Sequence, residues 1–403
     1  MRSPFGTFRN LPRSIWALFA VRLVISAGNF VFPFLTLILS TKLGWPADRI
    51  GLFLTMTQAS ALPGVFFGGK LSDRIGRKHI IIGCQGAAAI LFIVSLFIGY
   101  KPILPFLVAA ASVALSMAWP VSGALVADIA SPEERKSAYA LLYWGNNLGF
   151  SIGPIAAGFL FHRAPGLMFL GNACALMVSI FILLRFVPEQ KHAREEKPAS
   201  DQEAAHSGSL WTVITERPTI IVFALLVAMM NFVYSQSGFS LPLYLNERLG
   251  ERGAEIFGTA MTVNGLTVVF CTLLISRISA KTAVLPLMAI AGILYALGFG
   301  LLALPPSFLM VMVSTVIWTW GEILSATNIN VFIASKTPAS HRGRMQSFVS
   351  IITNTGSLSA PVLAGAIINA SGSGAVWPVV FFVALAAGVL MLGLGAWERA
   401  HGR

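Results

Sequence analysis

Long apolar segments follow one another along most of this sequence, and they limit what the chain can fold into. Hydrophobic residues make up 56% of the 403 residues and charged residues only 11%, whereas a soluble globular domain carries about 25% charged residues. A helix crosses a bilayer with roughly 20 apolar residues. The sequence therefore predicts an all-α membrane protein and excludes soluble, disordered and disulfide-stapled classes.

Twelve segments are long and apolar enough to span a membrane, and one polar segment divides them. Residues 188–217 are rich in charge and contain Pro188 and Pro198, a composition typical of a solvated linker. We therefore predict an N-terminal six-helix bundle (1–187), a cytoplasmic linker (188–217) and a C-terminal six-helix bundle (218–403). The predicted spans are 15–38, 49–70, 79–99, 103–127, 138–162, 165–187, 218–244, 254–276, 282–303, 307–333, 345–370 and 374–397.

The basic residues indicate how the chain is oriented. The sequence has 28 Lys and Arg against 16 Asp and Glu, a net charge of +12. If both termini are cytoplasmic, most basic residues fall in cytoplasmic segments, as the positive-inside rule describes. We expect a multi-pass protein of a bacterial-type plasma membrane with both termini inside, and no binding of nucleic acid. The basic residues in predicted external segments are Lys42, Arg49, Lys101, Arg163, Arg248 and Arg252.

Two matches between the halves predict an internal duplication. Residues 71–78 read LSDRIGRK, and residues 274–281 read LISRISAK. A second set of four residues recurs 207 positions later in the chain. Parallel repeats of six helices are typical of transporters whose halves rock about a central site, so we expect two halves related by a pseudo-two-fold axis. The second set pairs Asn147, Gly149, Pro154 and Gly158 with Asn354, Gly356, Pro361 and Gly365.

The loop between the second and third predicted spans carries a recognisable motif. Residues 69–78 read GKLSDRIGRK, which matches G-x-x-x-D-R-x-G-R-K and resembles the loop signature of the major facilitator superfamily. The fifth span contains Gly149, Gly153, Pro154 and Gly158, which resemble the signature of drug antiporters, with Ala157 in place of one glycine. The chain thus most resembles the twelve-span drug:proton antiporter branch.

That resemblance implies a function and a set of partners. It implies a secondary active transporter that exports small lipophilic or amphiphilic compounds by proton antiport with alternating access. The partners would be a small-molecule substrate, protons and the lipid bilayer, with the monomer as the functional unit. The sequence gives no sign of an enzyme, a cofactor or a metal site, since it has no nucleophile–base grouping and no metal-ligand spacing.

The same resemblance assigns a gating role to the loop signature. Glycine at 69 would permit close helix approach, and glycine at 76 a turn with positive φ. The resemblance implies that Asp73 latches the two halves together in one state. Asp128, after the fourth span, is an expected partner of Arg77. The alternative for the cations is that they only anchor the loop on the cytoplasmic side. The predicted gating residues are Gly69, Asp73, Arg74, Gly76, Arg77 and Asp128.

Two charged residues lie in the interior of predicted spans, away from their ends: Arg22 in the first and Glu322 in the tenth. A charge at the bilayer centre costs about 2.5–3.5 kcal/mol on insertion scales, so such a residue normally faces a cavity or a partner. We predict that Glu322 exchanges a proton for substrate and that Arg22 tunes or pairs with it. The alternative is a fixed structural ion pair or local hydrogen bonds. Many antiporters of this type carry an arginine in the fourth span, whereas residues 102–127 contain no charge.

The resemblance implies that spans 1, 4, 7 and 10 line a central cavity. Amides and amphipathic aromatic residues on these spans and on span 5 are candidates for substrate binding. Helix–helix hydrogen bonds or interface anchoring would explain each of them equally well. Rival functions are a flippase for an amphiphilic lipid-linked molecule, a sugar or organic-acid symporter, and a non-transporting sensor. An organic acid would need a cavity cation beyond Arg22. The candidates are Asn29, Trp119, Tyr143, Asn147, Tyr234, Gln236, Trp320 and Asn328.

Overall fold

The structure is a computed structural model that describes residue 8 and residues 11–189, 218–279, 281–337 and 341–401. The predicted linker at 188–217 lies outside the described residues except for its first two positions. Every regular element in the described part of the chain is helical. This agrees with the predicted all-α class. Lipid offers backbone N–H and C=O groups no hydrogen-bond partner, so these groups bond to one another within a helix.

The helices follow one another with short connections. Three segments are broken in the middle, at residues 28–30, 151–152 and 236–239. A π-helical turn at Ile38–Lys42 continues the second piece of the first broken segment, and a 3₁₀ turn at Ser373–Ala375 precedes the last helix. The α-helices are α1 (Arg13–Ala27), α2 (Val31–Leu37), α3 (Ala47–Ile75), α4 (Arg77–Ile98), α5 (Leu104–Ile129), α6 (Arg135–Phe150), α7 (Gly153–Arg163), α8 (Gly166–Phe186), α9 (Pro218–Ser235), α10 (Ser240–Leu249), α11 (Arg252–Ser279), α12 (Val284–Leu301), α13 (Phe308–Lys336), α14 (Arg342–Ser371) and α15 (Val376–Ala400).

Among the described residues, 11 helical segments are long and apolar enough to cross a membrane. The difference from the twelve predicted spans lies at 138–162, where α6 ends at Phe150 and α7 begins at Gly153. Neither piece alone reaches the length of a span. Proline lacks the amide hydrogen that a continuous helix needs, and Pro154 follows directly on Gly153. The sequence predicted a bend here, and the structure has an interruption.

The chain forms two compact units that do not follow the sequence order strictly. Helix α3 begins in the second unit and continues in the first, and α11 begins in the first and continues in the second. The first unit comprises Met1–Trp45, Met56–Arg194 and Glu251–Val269, and the second comprises Pro46–Thr55, Glu195–Gly250 and Phe270–Arg403.

Corresponding helices pack together within each unit. In the first unit α1 packs on α6 and α8, and α4 packs on α5 and α8. In the second unit α9 packs on α14 and α15, and α12 packs on α13 and α15. The core of the first unit contains buried Leu18, Val21, Ile81, Leu125 and Leu141, contributed by α1, α4, α5 and α6.

The breaks in two segments are held by amide side chains. Between α1 and α2, the Oδ1 atom of Asn172 accepts hydrogen bonds from the backbone amides of Phe30 and Val31, both at 2.9 Å. Between α9 and α10, Gln236 donates from Nε2 to the Phe232 carbonyl at 3.2 Å and accepts at Oε1 from the Ser240 hydroxyl at 2.6 Å. At both breaks, the amide side chain thereby provides hydrogen-bond partners that lipid could not provide.

The signature glycines of α6 and α7 lie where backbones touch. A Cβ at Gly149 would come within 3.0 Å of the Leu23 carbonyl, and one at Gly153 within 3.0 Å of the Ser26 carbonyl, both on α1. A Cβ at Gly158 would lie 2.7 Å from the carbonyl of Ala254 on α11, in the same unit. These residues therefore form a close-packing face, as small residues at four-residue spacing do in membrane helices.

The glycines 207 positions later make equivalent contacts in the second unit. A Cβ at Gly356 would overlap the Ala228 carbonyl of α9, and one at Gly365 would lie 2.5 Å from the Ala47 carbonyl. Each signature glycine in α14 thus meets backbone of the second unit, as its counterpart does in the first.

We expect Gly149→Ala to lower the melting temperature of the purified protein by several degrees, because the added methyl meets backbone atoms that cannot move aside. Gly83→Ala is the matched control, since no atom of the described residues lies within 4 Å of the position its Cβ would take. Thermal unfolding in detergent, followed by tryptophan fluorescence, measures both. Equal melting temperatures for the two variants would contradict the packing assignment.

Candidate functional site

In the first unit, Arg22 lies on α1 with its guanidinium facing α5. Its Nη2 atom donates to the hydroxyl of Ser122 at 3.2 Å. Its guanidinium carbon lies 4.1 Å from the centroid of the Trp119 ring, a distance typical of a cation–π contact. No carboxylate of the described residues in this unit lies within 4.0 Å of it. Arg22 is therefore held by neutral groups.

A cavity of about 170 Å³ opens beside this arginine. Helices α1, α2, α4, α5 and α8 supply its lining, which is mostly apolar. Asn29, in the break after α1, also belongs to the wall. The polar and aromatic lining residues are Arg22, Asn29, Phe32, Gln85, Trp119, Ser122 and Asn172.

Gln85 and Asn172 were not among the sequence-predicted site residues. Both are buried amides in predicted spans, and both have their side-chain oxygens occupied. Oε1 of Gln85 accepts from the Ser179 hydroxyl at 2.9 Å, and Oδ1 of Asn172 accepts from the two backbone amides at the helix break. An amide inside an otherwise apolar span was the available signal for them.

In the second unit, Glu322 lies on α13 and contacts α9. The hydroxyl of Tyr234 donates to its Oε1 atom at 3.0 Å. The Tyr234 ring meets Trp318 edge-on at 5.9 Å between centroids and lies 6.3 Å from the ring of Tyr295. The half-buried carboxylate thus sits next to a hydroxyl donor and close to aromatic rings.

This environment continues as a stack of rings through the second unit. Phe299 stacks on Trp318 at 5.4 Å and on Trp377 at 6.3 Å between centroids. Both tryptophans are fully buried. Such packing fixes the position of α13 against α12 and α15, and so fixes where Glu322 stands.

The remaining predicted substrate residues divide into buried and exposed ones. Gln236 is fully buried and engaged in the helix break, and Asn328 is buried with Nδ2 donating to the Leu324 carbonyl at 2.8 Å. Tyr143 and Trp320 are exposed in their units, and Asn147 is half-buried with Nδ2 donating to the Tyr143 carbonyl at 2.9 Å. The structure therefore brings Asn29 and Trp119 together with Arg22, and Tyr234 together with Glu322, and leaves the others apart.

The loop signature forms a tight connection between α3 and α4. Gly76 has a φ of +100°, a conformation that other residues adopt only with strain. Arg77 forms an ion pair with Asp128 and also donates to the Ala124 carbonyl at the end of α5. Asp73 and Arg74 are exposed.

The expectation for Gly69 is not met in the described residues. No atom lies within 4 Å of the position its Cβ would take, whereas a Cβ on Gly68 would overlap the Met117 carbonyl of α5. The close approach of α3 to α5 thus uses the preceding glycine. Successive side chains of a helix point about 100° apart. The motif alone does not tell which of the two neighbouring glycines faces α5.

Comparison with known proteins identifies the fold and the family. The family model "Major Facilitator Superfamily" matches residues 17–283 and 253–400. The sequence is 25% identical over 358 residues to a Na(+), Li(+), K(+)/H(+) antiporter of Planococcus maritimus, covering 82% of this chain and 84% of that protein. It is 26% identical over 347 residues to the class C tetracycline resistance protein of Escherichia coli, covering 82% and 83%.

Among solved structures, the nucleoside transporter NupG resembles this fold with a TM-score of 0.77 at 12% identity, over 95% of this chain and 99% of that one. Such a likeness speaks for the fold alone. The family match extends over nearly the whole chain, and the relatives it joins are transporters rather than enzymes. This multi-pass membrane protein therefore belongs to the Major Facilitator Superfamily of transporters.

Proposed function

We propose that this protein is a secondary active transporter that exports small lipophilic or amphiphilic compounds in exchange for protons. The observation that carries the proposal is the contact between Glu322 and Tyr234. A charge inside an apolar span is costly and normally faces a cavity or a partner, a carboxylate is a side chain that can take up and release a proton, and the Tyr234 hydroxyl donates to this one at 3.0 Å. An antiporter and a tetracycline resistance protein among the relatives favour exchange and export.

The proposal includes twelve spans in two six-helix halves, 1–187 and 218–403, joined by the linker at 188–217 and related by a pseudo-two-fold axis. Three features support it. The same four helix pairings occur in both units, and the signature glycines in α14 meet backbone as those in α6 and α7 do. Together α6 and α7 cover the predicted fifth span.

The gating role of the loop is supported by its geometry. The ion pair of Arg77 with Asp128 joins the start of α4 to the end of α5, and Gly76 permits the turn that places it. Exposed Asp73 and Arg74 on the same loop would then engage other elements when the protein changes state. Gly69, on the preceding turn of α3, leaves open space beside this loop, because no atom of the described residues lies within 4 Å of the position its Cβ would take.

For Glu322, we expect cells producing the Glu322→Gln variant to accumulate ethidium to the level of cells without the transporter, while wild-type cells keep it several-fold lower. Glutamine has the same shape and still accepts the Tyr234 hydrogen bond, but it cannot carry a proton. Glu247→Gln is the matched control because Glu247 is an exposed carboxylate on α10. Fluorescence of ethidium in whole cells measures the difference.

Equal amounts of each variant in the membrane, shown by immunoblot, are required for this comparison. Export by Glu322→Gln at the wild-type level would contradict the coupling role. Loss of export in Glu247→Gln as well would show that the effect is not specific to the carboxylate inside the span.

For the gate, Arg77→Asp should reduce transport strongly and Asp128→Arg should do the same, whereas the double exchange should recover a large part of it. The reason is that the two charges pair directly, so their effects are coupled rather than additive. Thermal stability should change by only about 0–1 kcal/mol because the pair is partly exposed. Lys136→Gln, at an exposed position on α6, is the control, and no recovery in the double variant would contradict the pairing role.

For orientation, we propose that both termini and the linker face the cytoplasm of a plasma membrane. In a background without native cysteines, Lys101→Cys should react with a membrane-impermeant maleimide on intact cells, and Ser200→Cys only after the cells are broken. Lys101 belongs to a predicted external loop and Ser200 to the predicted linker. The opposite labelling pattern would reverse the orientation.

A further inference from the structure

Arg22 is a cation whose charge is not neutralised within its unit. The nearest groups are the Ser122 hydroxyl and the Trp119 ring, and no carboxylate of the unit's described residues lies within 4.0 Å. An arginine stays protonated even where burial is unfavourable. A cation–π contact offsets about 0.5–2 kcal/mol, less than the roughly 2.5–3.5 kcal/mol that a central charge costs in a span.

The guanidinium also retains donor capacity. It carries five N–H groups in a planar fork that matches the two oxygens of a carboxylate. Within the described part of the chain, the guanidinium forms one hydrogen bond to a protein atom, the hydroxyl of Ser122. The remaining N–H groups are therefore available to a ligand in the adjoining cavity.

The amides around the cavity add to this excess of donors. The side-chain oxygens of Gln85 and Asn172 accept hydrogen bonds from a hydroxyl and from backbone amides. The NH₂ groups of the same two side chains donate no hydrogen bond to the described residues. Asn29 contributes a buried Oδ1 atom that accepts no hydrogen bond in the described residues. The wall thus offers one cation, several N–H donors and a single open acceptor.

We propose that this cavity binds the carboxylate of a small organic acid, with Arg22 as the ion-pair partner and the Trp119 ring beside the ligand's apolar part. The proposal rests on the proposed transport function and names a substrate class for its first unit. A carboxylate supplies the missing counter-charge and two acceptors for the donors present. The NH₂ groups of Gln85 and Asn172 in the cavity wall take the place of the second cation that the sequence alone indicated for an organic acid. A neutral isostere of the acid, bound in the same cavity, would leave the guanidinium unpaired.

The size of the cavity limits the ligand. Its volume of about 170 Å³ lies below the roughly 300–1,000 Å³ of pockets that enclose drug-sized ligands. It accommodates a carboxylate with one ring or a short chain. In this arrangement the arginine serves the substrate rather than acting as a permanent partner of an acidic side chain.

The test compares benzoate with its neutral isostere benzamide. Binding of radiolabelled benzoate to the purified full-length protein in detergent is measured by equilibrium dialysis, with no proton gradient present, and benzamide is added as competitor. Benzoate should bind, and benzamide should compete about 10- to 100-fold less well, since a hydrogen-bonded charge pair is lost. Equal competition by benzamide would overturn the proposal.

Variants then locate the site. Arg22→Gln should weaken benzoate binding about 10- to 100-fold, and Arg22→Lys should restore part of it because the charge returns without the planar fork. Arg163→Gln is the control, since that exposed arginine of the same unit already pairs with Glu255 at 2.9 Å. Unchanged benzoate binding in a folded Arg22→Gln protein would overturn the proposal. If that variant does not fold, the benzamide comparison on the wild type decides.

This experiment separates the inference from the proposed function. Charge-selective benzoate binding that depends on Arg22 supports the inference even where Glu322→Gln exports ethidium normally. Absence of benzoate binding in a protein that shows Glu322-dependent export overturns the carboxylate site and leaves proton coupling intact.

Discussion

Lipid provides no hydrogen bonds and no counter-ions, and this constraint accounts for most of what the structure shows. Backbone groups must bond within helices, so the described regular elements are all helical. Where a helix breaks, an amide side chain replaces the missing partner, as Asn172 and Gln236 do. A charged side chain inside a span needs a partner for the same reason. Glu322 receives the Tyr234 hydroxyl, whereas Arg22 receives only neutral neighbours in its unit. On this difference rest our proposals that Glu322 takes up the proton and that Arg22 binds an anion.

Close contact between backbones is the second organising element, because lipid-embedded helices gain stability from packing rather than from excluding water. Gly149 and Gly153 bring α6 and α7 against α1, and Gly356 brings α14 against α9. Contacts of this kind leave the paired helices little room to shift sideways. The gating role that we propose for the loop between α3 and α4 rests on Gly76 and the Arg77–Asp128 pair.

Much of this could be predicted from the sequence, because composition and spacing carry the relevant physics. Apolar length predicted the helices, and the expected pairing of Arg77 with Asp128 is present. Other features depend on contacts far apart in the chain. The interruption between Phe150 and Gly153 appears only in three dimensions, and Gln236 could not be distinguished from a cavity residue before its helix break was known. The contact expected at Gly69 occurs at Gly68 because the face of α3 that meets α5 depends on packing. Gln85 and Asn172 were missed because nothing in the chain near them predicts a cavity.

The central claim is that Glu322 carries the proton that drives transport. The most direct measurement is the internal pH of proteoliposomes, followed with an entrapped pH-sensitive dye while candidate substrates are added under an imposed pH gradient. The account predicts substrate-dependent proton movement with the wild-type protein and none with Glu322→Gln at equal protein content. Proton movement of equal size in the two preparations would contradict it, and would return Glu322 and its hydrogen bond from Tyr234 to a structural role.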